Sequence, residues 1–77
     1  MKFSEKLNAY MEQLSCSARE LGNLSGISGA SFSRYKSGER VPGLGTKPFE
    51  SLCSAIAEIA AQKKLPDITA ESVKASF

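Results

Sequence analysis

Apolar residues recur along the chain at intervals of three and four, and nowhere do they alternate with polar ones in the two-residue rhythm of a strand. No two-residue hairpin signal and no internal repeat interrupts this pattern. The first helix is expected from about Ser4 to Leu14, with Phe3, Leu7, Tyr10, Met11 and Leu14 on one face and Ser4 as its cap. A second, about two turns long, opens at Ser17, where Ser17-Ala18-Arg19-Glu20 fits a capping box. Leu21 and Leu24 are its apolar positions, and Gly26 ends it. The third helix is capped by Ser28 and stopped by Gly38. Phe32 and Tyr35, three residues apart, face the core, while Gly29, Ala30, Ser31, Ser33, Arg34 and Ser37 leave the other face small, polar and nearly free of acid.

Glu39 to Thr46 reads as a loop containing Pro42, Gly43 and Gly45. Thr46 caps a fourth helix, with Pro48 tolerated in its first turn and Phe49, Leu52, Cys53, Ile56, Ile59 and Ala60 on its apolar face. That helix ends near Lys63 and Lys64, and Pro66 confirms the stop. A short fifth helix starts at about Ala70 behind a Thr69 cap, with Ile68 and Val73 as a hydrophobic staple. Phe77 falls one turn beyond Val73 on the same face, so Val73 and Phe77 belong either to the core or to a contact with a second copy. The fold class is therefore all-α, a bundle of about five helices.

Length limits what such a bundle can do. A chain of 77 residues is one domain, 1–77, and buries only about 60–65% of the surface its unfolded form exposes. A large enclosed active site is not expected. No apolar run approaches the roughly 20 residues that span a bilayer, and the start, Lys2-Phe3-Ser4-Glu5-Lys6, lacks the apolar stretch of a signal peptide. A cytoplasmic location and no membrane partner are the expectation. Cys16 and Cys53 have no CxxC spacing and no histidine to join them, so a zinc site is not expected. Both read as small buried apolar residues in a reducing compartment.

Charge is unevenly distributed. From Ser17 to Lys47, Arg19, Arg34, Lys36, Arg40 and Lys47 face only Glu20 and Glu39, a net charge of +3; the remaining residues carry −1. A basic middle between ends that are not basic points to an anionic partner.

The second helix, the glycine turn and the third helix make a helix-turn-helix unit, about residues 17–38. Leu21, Ile27, Phe32 and Tyr35 would pack its two helices together, and Gly22 would let the third approach closely. Leu21-Gly22-Asn23-Leu24-Ser25-Gly26-Ile27-Ser28-Gly29-Ala30-Ser31-Phe32-Ser33-Arg34-Tyr35-Lys36-Ser37-Gly38 resembles the helix-turn-helix of the Cro and lambda-repressor-like family, also called the XRE family. The Ser25-Gly26-Ile27-Ser28 turn, the Phe32-Ser33-Arg34-Tyr35 core and the exit from Ser37 to Pro42 carry the likeness. The motif covers about a third of the chain, and the five-helix order extends it to nearly all.

The resemblance implies a sequence-specific transcriptional regulator of phage or bacterial type, of the repressor or Cro kind. It would bind double-stranded DNA as a homodimer, without a small-molecule cofactor or metal, and place a recognition helix of about residues 28–37 in the major groove. Ser28, Gly29, Ala30 and Ser31 would then face bases or nearby phosphates, with Ser33 and Arg34 one turn on. Arg34 is the candidate for direct reading of guanine, worth about 1–3 kcal/mol of discrimination. Ser37, Arg40 and Lys36 would grip phosphate, as would the backbone N–H groups near Ser17 and Ala18. Members of the family often carry Gln or Arg where this chain has Gly29 and Ala30, which shifts specificity toward Arg34 and DNA shape. Gly43-Leu44-Gly45 also lengthens the loop after the third helix, and the fourth helix runs longer than the family norm.

Catalysis has no support in the residues. Histidine is absent, there is one aspartate, and none of the twelve serines sits in a GxSxG elbow. Gly43-Leu44-Gly45-Thr46-Lys47 lacks the strand that precedes a phosphate loop. The alternative function is a helix-turn-helix protein-interaction module, such as an antitoxin subunit or the docking domain of a larger regulator.

Overall fold

A computed structural model describes residues 2–43 and 45–77. The apolar stripe from Phe49 to Ala60 winds into α4 (Lys47–Gln62), and four shorter helices gather around it: α1 (Phe3–Leu14), α2 (Ala18–Ser25), α3 (Gly29–Ser37) and α5 (Ala70–Ser76). No strand occurs among the described residues. The molecule is an all-α bundle, as the periodicity predicts. α2 and α5 pack on α4, α1 packs on α3, and α2 on α3. Among the described residues no helix is long and apolar enough to cross a membrane.

The core is one cluster. Leu7 and Leu14 of α1, Leu21 of α2, Leu52, Cys53 and Ile56 of α4 and Val73 of α5 are completely enclosed, and Phe32, Tyr35 and Phe49 nearly so. Burying a Leu, Ile or Phe side chain stabilises by about 1.5–3 kcal/mol. Phe77 lies half-buried in an aromatic group with Phe3, Tyr10 and Phe49, its ring 4.6, 5.7 and 6.0 Å from theirs. Val73 and Phe77 therefore pack within their own chain. The Lys6 ammonium donates to the Ser76 carbonyl, and Lys74 pairs with Glu50 at 2.6 Å, so both sides of α5 are tied down.

Local signals set most boundaries. Ser17 Oγ accepts the Glu20 N–H at 3.1 Å, Ser28 Oγ the Ser31 N–H at 3.3 Å, and Thr69 Oγ1 the Ser72 N–H at 3.1 Å. At Thr69 the bond is reciprocated, since Ser72 Oγ accepts the Thr69 N–H at 2.9 Å. Gly26 and Gly38 close α2 and α3 with φ of +72° and +88°. At Gly38 the positive φ disfavours any side chain, and an added Cβ would also lie 3.0 Å from Ser4 Oγ, which would have to give way.

Several expectations are corrected. Ser4 does not cap α1: Lys2 occupies that position, and its own N–H donates to the Glu5 carboxylate at 3.1 Å. Ser4 lies inside the helix, under the exit of α3. Only half of the Ser17–Glu20 box forms, the serine half. Thr46 stands at the N-cap of α4, but its hydroxyl donates back to the Gly43 carbonyl at 2.6 Å rather than accepting from the helix. Leu24 is 41% exposed, because the buried arc of α2 runs through Leu21, Gly22 and Ser25. Gly22 is buried, yet an added Cβ would meet the Ile27 carbonyl oxygen at 3.7 Å and Phe32 Cγ at 3.8 Å, both ordinary contacts. Close approach of α3 does not require a glycine there. The lengthened Gly43-Leu44-Gly45 turn lies partly outside the described residues, at Leu44.

Two measurements test this packing. Gly22→Ala is expected to stabilise by about 0.5–1 kcal/mol, since it removes backbone entropy from the unfolded chain and its methyl has room; thermal melts should show a midpoint raised by several degrees. Both cysteines are free and buried. Burial, helped by Glu50, pushes the Cys53 thiol up to about 11, and burial with Glu20 raises Cys16. The unfolded chain loses the Cys53 proton from the ordinary thiol range near pH 9, while the folded chain holds it to about 11. Stability contributed by the neutral thiol is complete below pH 9 and is lost through that window, by roughly 2–3 kcal/mol at its end. Denaturant titrations at several alkaline pH values should show a shallower decline for Cys53→Ala.

Candidate functional site

Helical geometry divides the surface of α3 into three strips. Phe32 and Tyr35 point into the core, so residues on the opposite arc, Ala30, Ser33, Arg34 and Ser37, share the outward crest. All four are exposed. Gly29 and Lys36 lie on the flank toward α2, and Ser28 and Ser31 on the flank toward the start of α4. Each flank opens into a groove. The α2 groove, about 430 Å³, takes Arg19, Asn23, Gly29, Ser33 and Lys36 into its walls. The α4 groove, about 440 Å³, includes Ser28, Ser31, Lys47, Pro48 and Ser51. The ten residues expected at the site, Ser17, Ser28, Gly29, Ala30, Ser31, Ser33, Arg34, Lys36, Ser37 and Arg40, are exposed except for half-buried Ser31.

What holds α3 in this pose is partly a residue that periodicity did not single out. Asn8 of α1 donates its Nδ2 hydrogens to the Ser4 carbonyl at 2.8 Å and the Lys36 carbonyl at 3.0 Å. The second bond crosses from α1 to the last turn of α3, where helix carbonyls lack internal donors. Two residues earlier, the Arg34 carbonyl accepts from Ser37 Oγ at 3.1 Å and from the Arg40 N–H at 3.2 Å. That pair folds the exit strand back and keeps Arg34, Ser37 and Arg40 together. The Ser37 hydroxyl also accepts the Glu39 N–H at 3.4 Å, so its proton and one of its lone pairs are engaged locally. Among the described residues the Ser17 and Ser28 hydroxyls accept a backbone N–H each and donate to no protein group.

The electrostatics are one-sided. Among the described residues the one ion pair is Lys74–Glu50, remote from α3. Arg19, Arg34, Lys36, Arg40 and Lys47 have no carboxylate within salt-bridge range. No carboxylate lines either flanking groove. Arg19, Asn23 and Lys47 line these grooves although the helix-turn-helix resemblance gives them no place at the site. The signal that could have found the first two is their spacing: positions 19 and 23 are one turn apart on the same side of α2 as Gly22. Lys47 carries no such signal, since only the fold brings the start of α4 beside Ser28.

The arrangement presents an exposed helix crest on which Ala30, Ser33 and Ser37 are short and Arg34 is long, with cations on both flanks that have no ion-pair partner among the described residues. Such a surface can approach a polyanion closely and neutralise it, but it holds no paired acid and base that could move a proton. Comparison with protein families, with curated proteins and with solved structures finds no match.

Asn8→Ala is expected to cost about 1 kcal/mol, from the lost bond to Lys36 and the one to Ser4. Hydrogen exchange should then quicken in the last turn of α3 and its exit to Arg40, while α4 and α5 stay protected.

Proposed function

We propose that the chain is a sequence-specific DNA-binding regulator of the Cro and lambda-repressor-like kind, with α3 as its recognition helix in the major groove. The observation that carries the reading is the crest of α3, where Arg34 stands among four further cations, Arg19, Lys36, Arg40 and Lys47, none with an ion-pair partner among the described residues. A major groove about 12 Å wide admits a helix, and the short crest residues let the backbone of α3 come near the base edges. Arg34, projecting from the middle of that crest, reads guanine through its two-pronged guanidinium. Ala30 meets a thymine methyl. Arg40, Lys36 and Lys47 contact phosphates, and the unused protons of Ser17 and Ser28 supplement them. Two copies, each with α3 in one half-site, would bind a site whose halves lie about 34–36 Å apart. Regulation as a repressor in the cytoplasm of a bacterium or its phage is the role consistent with that chemistry.

The protein-interaction alternative loses its strongest anchor, because Phe77 is engaged by Phe3, Tyr10 and Phe49 of its own chain. The apolar surface left to it is Leu24 and Val41, 41% and 61% exposed.

Site selection from random duplex DNA, followed by affinity measurements across a salt series, tests the proposal. Affinity should fall steeply with salt, by about 0.9 in the logarithmic slope for each phosphate neutralised. Arg34→Ala should erase about 1–3 kcal/mol of preference at one base pair. Arg40→Ala should weaken all sequences alike and lower the slope by about one. Undetectable binding at low salt, or an unchanged preference in Arg34→Ala, would sink the reading.

A further inference from the structure

The groove between α2 and α3 carries more charge than the crest beside it. Arg19 stands on its α2 wall and Lys36 on its α3 wall, with the Asn23 amide one turn along from Arg19. Gly29 and Ser33 keep the space between them open: nothing lies within 4 Å of a Cβ added at Gly29. Glu20, although adjacent to Arg19 in sequence, projects about 100° further round α2 and takes no part in the groove. Neither cation has an ion-pair partner among the described residues. Two like charges therefore border one cavity with no protein anion between them.

We propose that this groove seats a single phosphate group of a DNA strand, gripped from opposite walls by Arg19 and Lys36. The inference rests on the DNA-binding reading for the source of that phosphate. Its oxygens can accept from the guanidinium fork, the ammonium and the Asn23 amide hydrogens together. The grip clamps α2 and α3 to one point of the backbone. That point sets how far α3 advances into the groove, and so which base edges its short crest residues can touch. Arg19 and Asn23 thereby act as positioning residues for Arg34.

Amide NMR of the whole chain tests this, using inorganic phosphate at constant ionic strength as one probe and a short mixed-sequence duplex as the other. Signals of Arg19, Asn23, Gly29 and Lys36 should move with both. Arg19→Ala and Lys36→Ala should each weaken duplex binding about fivefold. The double variant should lose less than the product of the two, since both cations hold the same phosphate. Its salt slope should drop by about one unit rather than two. Multiplicative losses with a drop of about two units would overturn the shared grip, as would unchanged affinity in both single variants. If the duplex binds through Arg34 while these amides stay still, the groove proposal fails and the DNA reading stands. If inorganic phosphate moves them and the duplex does not bind, the phosphate seat stands and the DNA reading fails. If neither probe moves them, the seat is lost.

Discussion

Everything in this molecule depends on the burial of α4. Helices of seven to nine residues, the lengths of α5, α2 and α3, do not persist in water, because too few hydrogen bonds follow the cost of nucleation. They exist here because α4 offers a continuous apolar surface. Leu52, Cys53, Ile56 and Ile59 are enclosed on it, and both α2 and α5 pack against it. In a chain of 77 residues there is no second core to fall back on.

α3 depends on that core at one remove. Its main neighbours are α1 and α2, not α4, and it contributes two large side chains, Phe32 and Tyr35, to the shared interior. Polar ties supply the rest of its support: the Asn8 bond to the Lys36 carbonyl and the convergence of Ser37 and Arg40 on the Arg34 carbonyl. This explains how a helix can be firmly oriented and still show most of its circumference. An element set at the rim, fixed through two residues and its last turn, leaves an outward crest and two open flanks.

The elements were readable from the sequence where their causes are local. Ser17, Ser28 and Thr69 cap the helices that follow them, and Gly26 and Gly38 terminate α2 and α3, because each acts on backbone atoms within a few residues. Misreadings arose where a distant or competing partner decides. Lys2, its N–H held by Glu5, stands at the cap of α1 in place of Ser4, and the Gly43 carbonyl drew the Thr46 hydroxyl away from α4. The crest of the candidate site was equally readable, since 30, 33, 34 and 37 follow the helical period opposite Phe32 and Tyr35. Its flanks were not. Lys47 is brought beside Ser28 by the path of the whole chain, and Asn8 reaches Lys36 across 28 positions of sequence.

The open space around Gly29 has a consequence for how this surface can change over evolutionary time. Gly29 has an ordinary negative φ, and no atom lies near the Cβ it lacks; Ala30 and Ser33 are likewise exposed. None of the three contributes to the core that keeps the domain folded. Larger side chains can be installed there, singly or together, with little penalty to the bundle beneath. The scaffold and this part of its surface are thus separable, and drift at three codons can reshape the face of α3 while the fold stays as it is.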